Sequence, residues 1–348
     1  MLRRSLARTD ILAAALAAAL VAFCAQAAAP AKPARPRSWL TGNAADAARQ
    51  PVGGPALLLM GGGTEVDAAF AQRAFPIANG GDIVILRTSG KDGYNDYLYT
   101  LVSGPLKPDS VETLLVDSRD KANSDYTDRA IRQAELIFLA GGDQSTYVNA
   151  WQGTRVQDAL HDAHARGAVI GGTSAGLAVL GQHVYDPDGV AGVTSAEALA
   201  DPYHPYVMLS TGFLRFPILD GTITDSHFRE RDRMGRTLAF MARLRQDGVA
   251  PSITAIAIDE QTSLFIDRNG RGIVDSNLGG ATYVISERAD TVREQVLPGQ
   301  PLVYRNLDRV RLRAGQWYDF VARTHAGDRI TLSVDGRNAA PFTPVDPY

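Results

Sequence analysis

The sequence predicts an α/β fold: three α/β/α layers on a mostly parallel sheet, followed by an antiparallel β appendage. Two observations predict it. Short, wholly apolar runs alternate with helix-patterned segments as far as residue 170, and such runs are strands buried on both faces of a covered parallel sheet. Beyond Pro298 the helical pattern stops and alternating stretches such as Arg309–Arg313 and Ile330–Val334 remain.

The elements follow in order. Ala56–Met60 reads as a first strand ending in Gly61-Gly62-Gly63, and Val66–Phe75 as a helix. Ile83–Leu86 is a second strand, Val111–Val116 a third, Ile137–Leu139 a fourth, and Ala168-Val169-Ile170 a fifth, preceded by a helix over Arg155–Ala165. Four of the five end in Gly- or Ser-rich turns, which marks the carboxyl ends of the strands as the ligand-binding edge. Residues 183–204 carry Pro, Gly and Asp and read as a long loop, and Arg231–Arg245 as a charged helix. Ala255–Ile258, Leu264–Ile266 and Tyr283–Ile285 are strands, the first two spaced for a hairpin.

The N-terminus has the layout of a secretory leader. Arg3, Arg4 and Arg8 precede an apolar run from Ile11 to Phe23 and an Ala25-Gln26-Ala27 cleavage pattern, so residues 1–27 are expected to be removed on export to the periplasm or the exterior. An uncleaved anchor, or a lipid anchor on Cys24, are the other uses of such a segment. Residues 28–54, rich in Ala, Pro, Arg and Gly, read as a flexible linker. The folded part is then an α/β domain over 55–290 and a β-rich appendage over 291–348.

Composition excludes whole classes of function. Cys24 is the only cysteine, so the mature chain has no disulfide, no cysteine metal site and no thiol nucleophile. Removing a leader with three Arg and one Asp takes the formal charge from −3 to −5. A mildly acidic chain without a Lys/Arg run is a poor nucleic-acid binder, and no later stretch is apolar and long enough to cross a membrane. The sequence leaves room for a homodimer.

The chemistry centres on Gly172-Thr173-Ser174-Ala175-Gly176. Placed between a strand and an apolar helix, Gly-x-Ser-x-Gly is a sharp turn that projects a serine hydroxyl from the sheet edge, with the next amide aimed at a forming oxyanion. A serine nucleophile needs a base, and six histidines are available. His161 and His164 fit a solvated helix face, His183 and His204 bracket the long loop, and His325 lies in the appendage. His227 follows Thr222-Ile223-Thr224 at another strand end, where it can meet Ser174. Asp259 and Glu260 are adjacent acids. Alternation along a strand lets only one reach the histidine, and the chemistry alone does not choose.

Together, Gly142-Asp143-Gln144, the serine turn, Asp225-Ser226-His227-Phe228 with Arg231, Arg233, Arg236 and Leu238, the triple glycine and Ile258-Asp259-Glu260-Gln261-Thr262 resemble the cyanophycinase family. These are serine peptidases related to dipeptidase E, with a fold like the class I glutamine amidotransferases. The resemblance covers roughly residues 55–290. It implies Ser174 as nucleophile, His227 as base and Glu260 as its orienting acid. It also implies an oxyanion hole from the amides of Gly142 and Ala175, and substrate binding by Gln144, Arg231, Arg233 and Arg236. No metal or organic cofactor is implied. The substrate would be a peptide or a polymer of aspartate and arginine. Ser226 departs from the family, which usually carries Gln there, and the segment beyond 290 has no counterpart.

Other readings of the same residues stand beside this one. The interleaved Arg229, Glu230, Arg231, Asp232, Arg233 and Arg236 also fit a solvated helix. An α/β-hydrolase esterase would use His325 as base with Asp267 or Asp275. A catalytically silent exported binding protein would use Gly61-Gly62-Gly63 as a phosphate cradle.

Overall fold

The computed structural model describes residues 34–348, so the expected leader lies outside the described residues. Two sheets form the frame. The first has ten strands, and its centre is the parallel block that the apolar runs predict: β2 (Ala56–Met60), β3 (Asp82–Arg87), β4 (Ser110–Leu115), β5 (Leu136–Leu139) and β6 (Val169–Thr173), in the order β4-β3-β5-β6-β2. Alternation sorts their side chains. Leu57 and Leu59 of β2 face one core, whereas Leu58 and Met60 face another.

A flexible linker does not extend to residue 54. β1 (Arg37–Gly42) pairs antiparallel with β4 and closes that edge of the sheet. Its residues are a mixture of half-buried and exposed, a weak pattern that the Pro and Arg around it hide.

The second sheet has eight strands, in the order β18-β17-β14-β13-β10-β9-β7-β8. These are β7 (His183–Tyr185), β8 (Leu209–Thr211), β9 (Thr222–Asp225), β10 (Thr254–Ile258), β13 (Thr282–Gln295), β14 (Val303–Leu312), β17 (Asp328–Asp335) and β18 (Phe342–Thr343). The boundary expected near 290 falls inside β13, and the C-terminal strands are antiparallel as expected but continue this sheet rather than forming a separate appendage. One core cluster holds Leu57, Leu59 and Ile170 together with Ile256, Ile258 and Val310, so the facing sides of the two sheets share it.

β10 and β11 (Thr262–Ile266) do not form a hairpin. β10 pairs with β9 and β13, and β11 with β2 and with β12 (Arg271–Ser276) of the first sheet. Residues 259–261 therefore cross from one sheet to the other, with Gln261 at φ 51 in the left-handed region. β15 (Trp317–Asp319) and β16 (Thr324–His325) extend the first sheet beyond β12.

Local signals explain the helices. α1 (Arg155–Arg166) ends at Gly167 in the left-handed conformation. Its histidines are half-buried rather than solvated: both rings pack on Phe216, and burial lowers His164 to about 4. The expected loop over 183–204 contains β7 and a short helix, Ser195–Ala200, opened by a capping box between Thr194 and Glu197. α2 (Ala175–Ala178) follows the serine turn. The charged helix begins only at Met234, as α3 (Met234–Gln246), because His227 and Asp232 adopt φ values of 45 and 47.

Candidate active site

The carboxyl ends of β5, β6 and β2 lie side by side, and each runs into a glycine-bearing turn. β6 delivers Ser174 at φ 53 and ψ −116, a sharp elbow between strand and α2. The elbow is held by the Ser174 amide donating to Met60 O at 3.1 Å and the Ala178 amide donating to Ser174 O at 2.9 Å. The flanking glycines are steric requirements. A Cβ on Gly172 would lie 2.4 Å from Gly176 O, and one on Gly176 would lie 2.0 Å from Leu139 O.

From the second sheet, β9 ends at Asp225 and delivers His227, while its neighbour β10 leads into Asp259 and Glu260. Ser174 Oγ and His227 Nε2 are 2.7 Å apart, and His227 Nδ1 and Glu260 Oε1 are 2.5 Å apart. With Glu260 ionised, Nδ1 carries the proton and donates, which leaves Nε2 free to accept from the serine hydroxyl. Burial lowers the basicity of His227. The bond to Glu260 acts against this, and the positive charges of Arg231 and Arg233 act with it.

Asp259 turns away. Its carboxylate accepts from the Arg229 amide at 3.0 Å and the Ala281 amide at 2.9 Å, and burial pushes it up to about 6. The choice left open by chemistry between the two acids is thus resolved in position: Glu260 meets the histidine.

The triple glycine serves the same histidine. The His227 amide donates to Gly61 O at 2.7 Å, and a Cβ on Gly62 would lie 2.3 Å from His227 Cε1. That space is filled by imidazole, which removes the phosphate-cradle reading. His325 lies on the edge strand β16, stacked on Tyr318 with ring centroids 5.9 Å apart, and four strands separate β16 from β6. The esterase reading therefore has no base at the serine.

A cavity of about 70 Å³ opens at Ser174. Gly142, Gln144, Ala175, Arg231, Arg233 and Arg236, all singled out in the sequence, line it. The amides of Gly142 and Ala175 engage no acceptor among the described residues. Asp225, Ser226 and Tyr185 also line the cavity. Buried Asp225 organises the arginines: Arg236 donates to it at 2.9 and 2.6 Å, Arg233 at 3.2 Å and the Thr237 hydroxyl at 2.9 Å. The two guanidinium groups hold its carboxyl below the usual range against the opposing effect of burial.

The three arginines do not play one part. Arg236 is itself buried and paired with Asp225 along one edge. Arg233 uses one nitrogen on Asp225 and Ser226, and burial lowers it to about 10. Arg231 is exposed and its side chain has no hydrogen-bond partner among the described residues. The signal for Asp225 was the acid two residues before His227, opposite the arginine series. Nothing local marks Tyr185, which arrives from β7.

Known proteins with similar sequences complete the description. Residues 110–271 match the model of peptidase family S51, an interval that contains Gly142, Ser174, His227 and Glu260. A cyanophycinase of Nostoc sp. (strain PCC 7120) is 28% identical over 228 residues, covering 65% of this chain and 70% of that protein. A cyanophycinase of Geminocystis herdmanii is 29% identical over 220 residues, covering 61% and 72%. The solved structure of a peptidase from an acI-B1 Actinobacterium shares the fold, with a TM-score of 0.51 at 17% identity over 78% of this chain and 98% of that one. On the family match and these relatives, the chain is a serine-type peptidase, similar to peptidase family S51 and to the cyanophycinases.

Proposed function

We propose that the chain is an exported peptidase that cleaves a peptide or isopeptide bond next to an aspartate-type residue, through a Ser174-His227-Glu260 triad and an acyl-enzyme. The observation that carries this reading is the cavity beside Ser174, where three guanidinium groups face one carboxylate. The surplus positive charge suits an anionic substrate, and guanidinium suits bidentate capture of a carboxylate.

In this mechanism Ser174 Oγ attacks the scissile carbonyl carbon while its proton passes to His227 Nε2. Glu260 stabilises the imidazolium and keeps its tautomer. The amides of Gly142 and Ala175 receive the oxyanion, a contribution worth ~10²–10³ in turnover per donor. His227 then protonates the leaving amine, and water, deprotonated by the same imidazole, releases the acyl group. The chemistry is complete with protein groups and water. Arg231 and the free edge of Arg233 hold the substrate carboxylate, with Gln144 beside them.

Cyanophycin, an aspartate backbone bearing arginine on its β-carboxyls, fits this charge pattern, and the curated relatives are cyanophycinases. Ser226 makes the substrate a matter for measurement. Export to the periplasm or the exterior belongs to the proposal on the leader pattern of residues 1–27. A panel of cyanophycin, β-Asp-Arg and plain Asp-x peptides tests the substrate. Release of β-Asp-Arg dipeptide supports the cyanophycin reading. Cleavage of Asp-x peptides alone moves the substrate to α-aspartyl peptides, and cleavage of none overturns the proposal.

A further inference from the structure

Beyond residue 271 the chain leaves the interval that matches the family, yet its last residue returns to the site. The ring of Tyr348 packs edge-on against Phe228 and Tyr283, with centroids 5.6 and 5.9 Å away. Its hydroxyl donates to Asp232 Oδ1 at 2.7 Å and accepts from the Met234 amide at 3.1 Å. Both partners belong to the turn that carries Arg231 and Arg233 into the cavity.

Three backbone hydrogen bonds close that turn, from the amides of Arg231, Asp232 and Arg233 to the oxygens of His227, Arg229 and Phe228, but its junction with α3 has no local cap. Asp232 has φ 47, a conformation that a side-chain-bearing residue holds only against a cost. α3 opens with Arg233 at its N-cap, which makes no capping bond; a guanidinium has no acceptor to offer an orphan amide. The Tyr348 hydroxyl supplies that acceptor for Met234 from the far end of the sequence. Ser195, whose hydroxyl donates to Asp232 O and accepts from the Arg236 amide, braces the turn from the other side.

The strands beneath are built to receive the tyrosine. Its main-chain oxygen accepts from Arg309 at 3.2 Å and Arg311 at 3.1 Å, both on β14. Arg309 is 3% exposed, and its Nε and Nη1 have no partner among the described residues. A buried guanidinium whose hydrogen bond goes to Tyr348 would be left with none if the segment withdrew, and such a charge is costly to strand.

We propose that Tyr348 is a positioning residue for the peptidase site: its hydroxyl caps α3 and braces Asp232, so that Arg231 and Arg233 stay directed at substrate. The effect on substrate rests on the function proposed above; the effect on the turn does not. The test compares the full chain with its Tyr348→Phe variant, which keeps the ring packing and removes the hydroxyl. Three quantities are read: amide hydrogen exchange over residues 227–236, KM for an Asp-Arg substrate, and the rate at which a fluorophosphonate labels Ser174.

The expected result is exchange of the Met234 amide about tenfold faster and KM raised about three- to tenfold, the size of one lost hydrogen bond. Labelling of Ser174 should stay within about twofold, because the elbow and His227 have supports of their own. Unchanged exchange and KM overturn the proposal. A parallel loss of labelling also overturns it, since the tyrosine would then support the fold at large. If the wild type cleaves no Asp-Arg substrate, the function proposed above fails, and the exchange experiment still decides whether Tyr348 holds the turn.

Discussion

The imidazole of His227 occupies the space that a side chain on Gly62 would need: a Cβ there would lie 2.3 Å from Cε1 and 2.4 Å from Nε2. The second glycine after β2 thus sets where the histidine can stand relative to Ser174. Gly62→Ala, at φ 96, is expected to fold with a stability loss of about 1–2 kcal/mol, yet to displace the ring. A misplaced base costs roughly 10²-fold in kcat. Steady-state kinetics beside a urea melt separates the two effects.

Glu260→Gln and Asp259→Asn should part company. The first replaces the carboxylate on Nδ1 with a neutral amide that can itself donate and favour the wrong tautomer, and it is expected to lower kcat by ~10³–10⁴ with the fold intact. The second should leave most turnover and change how stability depends on pH. Burial raises Asp259 to about 6 in the folded chain, above the ~3.9 of an unfolded one. Its contribution to stability is therefore full below about pH 4 and lost as pH rises through about 6. Urea midpoints across that window should show a slope in the wild type that the Asn variant lacks.

The pH dependence of kcat/KM reports His227. Burial and two neighbouring arginines lower it, so the acidic limb should lie below the usual ~6.5 of histidine. Arg231→Gln removes one of those charges. It should move the limb to higher pH and raise KM together, a pairing that neither a general packing defect nor a solvated surface arginine would produce.

Asp225→Ala strips the carboxylate from Arg233 and Arg236 in a buried place. Removing one partner of such a cluster costs ~3–5 kcal/mol, so the urea midpoint should fall sharply. At temperatures where the variant is folded, KM should rise more than kcat falls.

The sequence showed the frame and the chemistry to different depths. The five parallel strands were legible because strands buried on both faces are apolar throughout, and the serine turn because its glycines answer to backbone atoms within 2.4 Å. Ser174 and His227 stood out from their own motifs, whereas Glu260 was singled out from Asp259 only by the family resemblance. What was hidden is how 259–261 cross between sheets, since strand spacing looks the same for a hairpin and for a crossing. β1 was hidden because an edge strand needs only one buried side. Tyr348 left no local signal at all: its partners are 116 and 114 residues away in sequence.

The central claim is that Ser174 is the nucleophile of a hydrolytic enzyme. The direct measurement is the rate at which the wild type and Ser174→Ala release dipeptide from cyanophycin and the Asp-containing peptides. The account predicts cleavage by the wild type and a loss of at least ~10⁴-fold in the variant, down to what binding and the oxyanion amides sustain. Cleavage by Ser174→Ala at a rate near that of the wild type would contradict it.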